Sequence, residues 1–147
     1  MRSFSPSHKG LFTPQNDSKY RGSRPIIFRS NLELCLMRWL DRNSKVLQWG
    51  SESVVIPYQS PKDGKVHKYF VDFVVKMQTE SGPKKFLIEV KPDKQTRPPE
   101  NTSRMSKKNL LYSQITYAVN ESKWTSAKNW CQANGFEFVI ITEKDLR

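Results

Sequence analysis

The sequence predicts a single mixed α/β (α+β) domain: a central mixed sheet of about four strands with helices packed against it. Three observations lead there. The chain has 147 residues, enough for one modest core. Apolar residues make up 36% and aromatics 12%, the composition of a folded chain with a highly charged surface. Helical and strand periodicities alternate in the order α-β-β-β-α-α-β, which calls for a sheet covered by helices.

Residues 1–25 hold Pro, Ser, Gly, Asn and basic side chains without hydrophobic period, and read as a basic extended N-terminal arm. Leu11, Phe12 and Tyr20 are its candidate anchor points. The single domain then spans 26–147. A helix is predicted over 30–42, with Ser30 as N-cap and Glu33 three residues on, as in a capping box. Leu32, Cys35, Leu36, Trp39 and Leu40 make one apolar stripe, with Glu33 at its edge.

Three strand signals follow. The first covers 45–58 and is interrupted at Gly50-Ser51. Pro61-Lys62-Asp63-Gly64 is a turn. Residues 67–78 alternate, with Tyr69, Val71, Phe73, Val75 and Met77 on one face and Phe70, Asp72, Val74 and Lys76 on the other. The third strand covers 84–91, and Pro92 ends it because proline cannot donate to a ladder. Residues 92–105 read as loop. A helix is expected over 106–119 with Leu111, Ile115, Ala118 and Val119 inward, with a strand as the alternative. A second helix is expected over 123–134, with Ser122 as N-cap and Gly135 as its C′ residue. Residues 136–142 form a final, mostly buried strand.

The formal net charge is +11, and residues 1–25 and 91–108 together hold eight of those charges. Such segments suit phosphate contact through counterion release. Charge alone fits ribosome-like or anionic-membrane binding equally well. No apolar run approaches the roughly 20 residues of a membrane span. Cys35 and Cys131 lie among apolar neighbours and read as buried free thiols in a reducing compartment. The absence of a CxxC pair or Cys/His cluster argues against zinc. With His8 and His67 as the two histidines, a histidine-metal nuclease is disfavoured.

The sharpest chemical feature is Phe86-Leu87-Ile88-Glu89-Val90-Lys91-Pro92. Period 2 sends Glu89 and Lys91 to one side of the sheet and Ile88 and Val90 to the other. An acid in an apolar strand is costly unless it is paired or binds metal. Asp72 is a second such acid. If the two strands pair as a hairpin, Asp72 and Glu89 lie side by side. With the backbone carbonyl of Val90 they form an oxygen-rich site suited to Mg²⁺ or Mn²⁺. The ion would polarise a phosphodiester, and Lys91 would position or activate the attacking water. An isolated acid-x-Lys is usually a surface ion pair. An acid on the preceding helix, Glu33, together with Asp72 and Glu89, favours the chemical reading. Glu52, on an irregular stretch of strand, is a further candidate ligand beside Glu33. Gln114, Tyr117 and Lys123 could reach the site from the later helices, although solvated helix faces are the simpler reading.

This pattern resembles the PD-(D/E)xK nuclease superfamily, with Glu33 at the helix acid, Asp72 at the Asp and Glu89-Val90-Lys91 at (D/E)xK. Val71 stands where the motif name has Pro. The resemblance implies a restriction-endonuclease-like core and a Mg²⁺- or Mn²⁺-dependent deoxyribonuclease. Lys19-Tyr20-Arg21-Gly22, Ile27-Phe28-Arg29-Ser30, Trp49-Gly50-Ser51-Glu52, Ile56-Pro57-Tyr58, Tyr69-Phe70-Val71-Asp72-Phe73 and Ile141-Thr142-Glu143 carry a closer likeness. They are similar to head completion nucleases of T-even-type bacteriophages, and the core is similar to the end-cleaving endonuclease subunits of some transposons. That likeness implies work on double-stranded DNA or DNA ends in the host cytoplasm or the virion, beside portal or neck proteins and away from membranes. A protein that kept the fold only to grip DNA or the portal is the alternative. The expected DNA contacts are Lys19, Arg21, Arg24, Lys94, Arg97, Arg104, Lys107 and Lys108.

Overall fold

The computed structural model describes residues 9–100 and 104–146. Its centre is a four-stranded mixed sheet built from β3 (Val46–Ser51), β6 (Phe73–Thr79), β7 (Gly82–Val90) and β8 (Glu137–Ile141), in the spatial order β3-β6-β7-β8. β3–β6 and β6–β7 are antiparallel, whereas β7–β8 is parallel. A parallel neighbour needs a crossover, and the helix between β7 and β8 supplies it. α1 (Asn31–Arg42) supports one core and α2 (Lys107–Asn134) the other. Among the described residues no helix is long and apolar enough to cross a membrane.

α1 forms where its cap and stripe predict. The Ser30 hydroxyl accepts from the Glu33 amide at 3.1 Å. The Glu33 carboxylate takes the Arg29 amide instead of completing the box at Ser30. Leu32, Leu36, Met37 and Leu40 bury against Val46, Trp49, Phe73, Val75, Ile88 and Val90. Trp39, expected inside, is 42% exposed. The buried arc runs through Met37 instead, so the helix is rotated away from Trp39.

The second core includes Val71, Leu87, Ala127 and Cys131. Both cysteines are free; Cys35 is half-buried, and burial pushes the Cys131 thiol up to about 11. The two helices expected over 106–119 and 123–134 are one helix of 28 residues. Neither Gly nor Pro interrupts the stretch, and Asn120-Glu121-Ser122 costs only about 0.5 kcal/mol per residue in propensity. Its N-cap is Ser106, whose hydroxyl accepts from the Asn109 amide at 3.1 Å. Ser122 is no cap: its hydroxyl donates to the Gln59 carbonyl at 2.8 Å and ties the helix to β4 (Val55–Gln59). Gly135 closes α2 in the left-handed region, with φ of 75°. Leu111, expected inward, is 58% exposed, because the helix buries its face only from Asn120 onward.

Two expected strands each break in two. The 45–58 signal becomes β3 and β4, and the 67–78 signal becomes β5 (Val66–Phe70) and β6. β4 and β5 form their own antiparallel pair. Between the two sheets the Glu52 amide donates to the Asp72 carbonyl at 3.0 Å, and the Val71 amide to the Val54 carbonyl at 3.0 Å. Glu52 sits at φ of 53°, a left-handed conformation costing about 1–3 kcal/mol for a non-glycine residue. Close packing at the break also calls for Gly50, where a Cβ would meet the Ser53 hydroxyl at 2.7 Å. The kink reverses the alternation of the strand. Tyr69 and Val71 face the α2 core, whereas Phe73 and Val75 face the α1 core. Asp72 stands at that switch.

The segment expected as an arm is extended but bound along the domain from Gly10 onward. β1 (Gly10–Leu11) pairs with β2 (Ile27–Phe28), and Tyr20 bridges to Trp49. Tyr20, Ile26 and Phe28 belong to the α1 core. Arg2 and the rest of residues 1–8 lie outside the described residues. The main tether is Asp41, which is 1% exposed. Its carboxylate accepts the Gln15 amide at 2.8 Å and the Asn16 amide at 2.9 Å. Asp41→Ala strands both amides and should destabilise the fold by about 3 kcal/mol, measured by thermal or urea melting. A change within 0.5 kcal/mol would show that this segment contributes little to the fold.

Candidate active site

The kink and the edge of the sheet bring the acids together. The β6–β7 register pairs Phe73 with Ile88, so one step further Asp72 lies across from Glu89. The Asp72 carboxylate accepts the Val90 amide at 2.8 Å, which fixes its orientation on β7. Glu89 is buried and accepts a hydrogen bond from the Tyr69 hydroxyl. Burial, foremost, and the charge of Glu89 push the Asp72 carboxyl well above the usual carboxylate range; the charge of Glu33 adds to this, while the Val90 amide opposes it. Burial and the adjoining Glu89 also drive the Tyr69 phenol well above its ordinary value, so it stays a donor.

Glu33 and Glu52 form a second tier. Burial raises the Glu33 carboxyl, the Arg29 amide and guanidinium oppose that rise, and the charges of Glu52 and Glu89 reinforce it. Arg29 pairs with Glu52. The expectation that Glu33 and Glu52 join the ligand set is not met in the geometry: among the described residues no three carboxylates, cysteines or histidines come close enough to share an ion. The Asp72–Glu89 pair offers only carboxylate oxygens. This all-oxygen set fits Mg²⁺, which is usually held by one or two carboxylates and keeps several waters. Two adjacent carboxylates repel, and this repulsion adds to burial in raising Asp72.

Lys91 follows Glu89 by two residues, and Lys123 approaches the pair from α2. The backbone of Lys91 is fixed by its amide, which donates to the Ile141 carbonyl at 3.0 Å. Lys123 reaches in from α2, with its ammonium 5.6 Å from the ring centres of both Tyr58 and Tyr69. Burial, then the charge of Lys91, lowers the Lys123 ammonium below its ordinary value, while Glu89 and Asp72 act the other way. Sequence reasoning left Lys123 on a solvated face. A signal was available: Lys123, Ala127 and Cys131 lie at i, i+4 and i+8, on the buried stripe of α2. The alternation puts Tyr69 on the face of Val71 and Phe73, and nothing in its pattern marks it as a partner of Glu89. Gln114 is exposed, and Tyr117 packs edge-on against Trp124.

The expected DNA contacts divide. The Lys19 ammonium donates to the carbonyls of Asp41 at 3.0 Å and Asn43 at 2.8 Å, which makes it part of the tether. Arg24 pairs with Asp17 at 2.8 Å and Arg97 with Asp93 at 2.9 Å, both on the surface. Arg21, Lys94, Arg104, Lys107 and Lys108 are exposed.

Comparison with known proteins places these features in a family. Residues 43–143 match the model of the TnsA-like endonuclease N-terminal domain. The matched span runs from the end of α1 through β8 and includes Glu52, Asp72, Glu89, Lys91 and Lys123. The chain is also 39% identical over 145 residues to the head completion nuclease of Enterobacteria phage T4, covering 96% of this chain and 95% of that protein.

Proposed function

The chain belongs to the TnsA-like endonuclease N-terminal family, and from that premise we propose that it is a metal-dependent deoxyribonuclease of the PD-(D/E)xK type that acts in phage head completion. The observation that carries this reading is the buried Asp72–Glu89 pair at the strand kink, with Lys91 two residues on. A protein that only gripped DNA would have no use for two costly carboxylates there.

Asp72 and Glu89, with the Val90 carbonyl, would hold Mg²⁺ or Mn²⁺. The bound ion supplies Lewis-acid polarisation of a phosphodiester and a water of lowered pKa. The Val90 amide holds the Asp72 carboxylate in place, and the Tyr69 hydroxyl does the same for Glu89. Lys91 orients the attacking water and offsets the charge that grows on the phosphorane-like transition state. Lys123 adds a second positive charge on the side of α2. Glu33 and Glu52, held through Arg29, act on the site through their charge.

Arg21, Arg24, Lys94, Arg97, Arg104, Lys107 and Lys108 supply the DNA-facing charge. Lys107 and Lys108 occupy the first turn of α2, which has no acidic residue. Cations there oppose the helix dipole, a cost that a phosphate would offset. Lys107→Ala with Lys108→Ala should lower the salt-dependence slope of DNA binding by about 2. An unchanged slope would remove both from the interface. The likeness to a head completion nuclease supports a role in completing phage heads, and we propose that this role lies at the packaged DNA end before the tail joins, among portal or neck proteins.

The test is incubation of the purified chain with supercoiled and linear DNA. Nicked or cut products should form with Mg²⁺ or Mn²⁺ and not with EDTA. No cutting of any DNA form with either metal defeats the enzymatic reading.

A further inference from the structure

Residues between Lys94 and Glu100 and the first half of α2 line a cleft of about 670 Å³. That is within the size range of small-ligand sites, commonly about 300–1,000 Å³. Tyr112 and Tyr117 rise from the helix on one side, with Lys94 and Arg97 on the other. Asn120 also lines the cleft and is only 7% exposed. Its side-chain amide makes no hydrogen bond to another described residue and stays accessible from the cleft. One turn further along α2 is Lys123, which approaches the acids, so the cleft adjoins the active site.

We propose that this cleft holds one unpaired nucleotide of the DNA, next to the phosphate that is cut. The proposal rests on the nuclease reading for its ligand class and goes beyond it in naming what part of the DNA is recognised. A tyrosine face stacks on a base of any identity. A primary amide pairs with a base edge, which in a duplex is engaged by the opposite strand and in a frayed or tailed end is free. Lys94 and Arg97 suit the flanking phosphates. Glu100, the acid on the wall, suits the exocyclic amine of a base rather than a phosphate. The cleft therefore selects ends and junctions over continuous duplex. Plain backbone binding would need the cations alone, without an asparagine amide or a tyrosine wall.

The test is affinity in EDTA, where nothing is cut, so that failure here is distinguishable from failure of the nuclease reading. The full chain is titrated against a blunt duplex and a duplex with a three-nucleotide single-stranded tail, matched in phosphate number. The tailed DNA should bind about tenfold more tightly, the scale of one stacked base. Asn120→Leu, close in shape, and Tyr112→Ala should each bring the ratio towards one without changing blunt-duplex affinity. Tyr112 is 69% exposed, so its replacement leaves the fold intact even if the buried change does not. Equal affinities in the unmodified protein, as a cleft made for a protein partner would give, overturn the proposal. So does a preference that survives Tyr112→Ala.

Discussion

Asp72→Asn should lower metal-dependent DNA cleavage at least about a thousandfold, since on the proposed reading it removes a charged ligand from a site whose ion would supply several kcal/mol of transition-state stabilisation. The same change should make the metal-free protein more stable at neutral pH. The sign follows from the environment of the carboxyl. Burial and Glu89 raise its pKa in the fold above the unfolded value. Between those two values the folded chain keeps a proton that the unfolded chain has lost. Stability therefore falls as pH rises through that window, and the charged form is carried at a cost above it. Glu33 shifts in the same direction. Asparagine still offers an oxygen to the Val90 amide and carries no charge. Melting curves of the two proteins in EDTA should thus coincide at acidic pH and diverge, with Asp72→Asn higher, as pH rises. A variant that melts lower at neutral pH would mean that Asp72 is a structural acid.

Lys91→Met should cost about a hundred- to ten-thousandfold in single-turnover cleavage at saturating DNA, the usual reach of a positioned proton-transfer or charge-offsetting group. Methionine keeps the length and the apolar stem, and the fixing hydrogen bond runs through the backbone amide. Metal affinity should change little, because the lysine is not a ligand. DNA affinity should fall only by the small share of one cation. Retained cleavage would transfer the role to Lys123, the neighbouring ammonium that the charge of Lys91 helps to lower. A loss in DNA affinity as large as the loss in rate would instead make Lys91 a binding residue.

The acids were legible because a strand exposes its exceptions. Asp72 and Glu89 interrupt apolar runs whose period of two fixes which way each residue faces. The kink was not legible. It depends on Glu52 adopting a left-handed conformation that glutamate has no intrinsic preference for, so only the Gly50-Ser51 interruption hinted at it. That single irregularity turned two expected strands into four and reversed the faces beyond Asp72. Nothing local in the sequence marks Asp41, at the end of an amphipathic helix, as buried. Its burial is set by amides 25 and 26 residues away. The continuity of α2 through Ser122 is likewise tertiary, since that hydroxyl finds its acceptor on β4 rather than at a helix start. Side chains matched to a partner distant in sequence, such as Tyr69 to Glu89 or Lys123 to two tyrosine rings, leave no local periodic mark.

On the proposed reading, Asp72 and Glu89 are paired in order to hold a divalent cation. Calorimetric titration of Mn²⁺ into the unmodified chain and into Asp72→Asn, at neutral pH and without DNA, tests it most directly. The unmodified chain should bind Mn²⁺ saturably, and Asp72→Asn should lose that binding by tenfold or more. Equal titrations for the two proteins, or no binding by either, would contradict it.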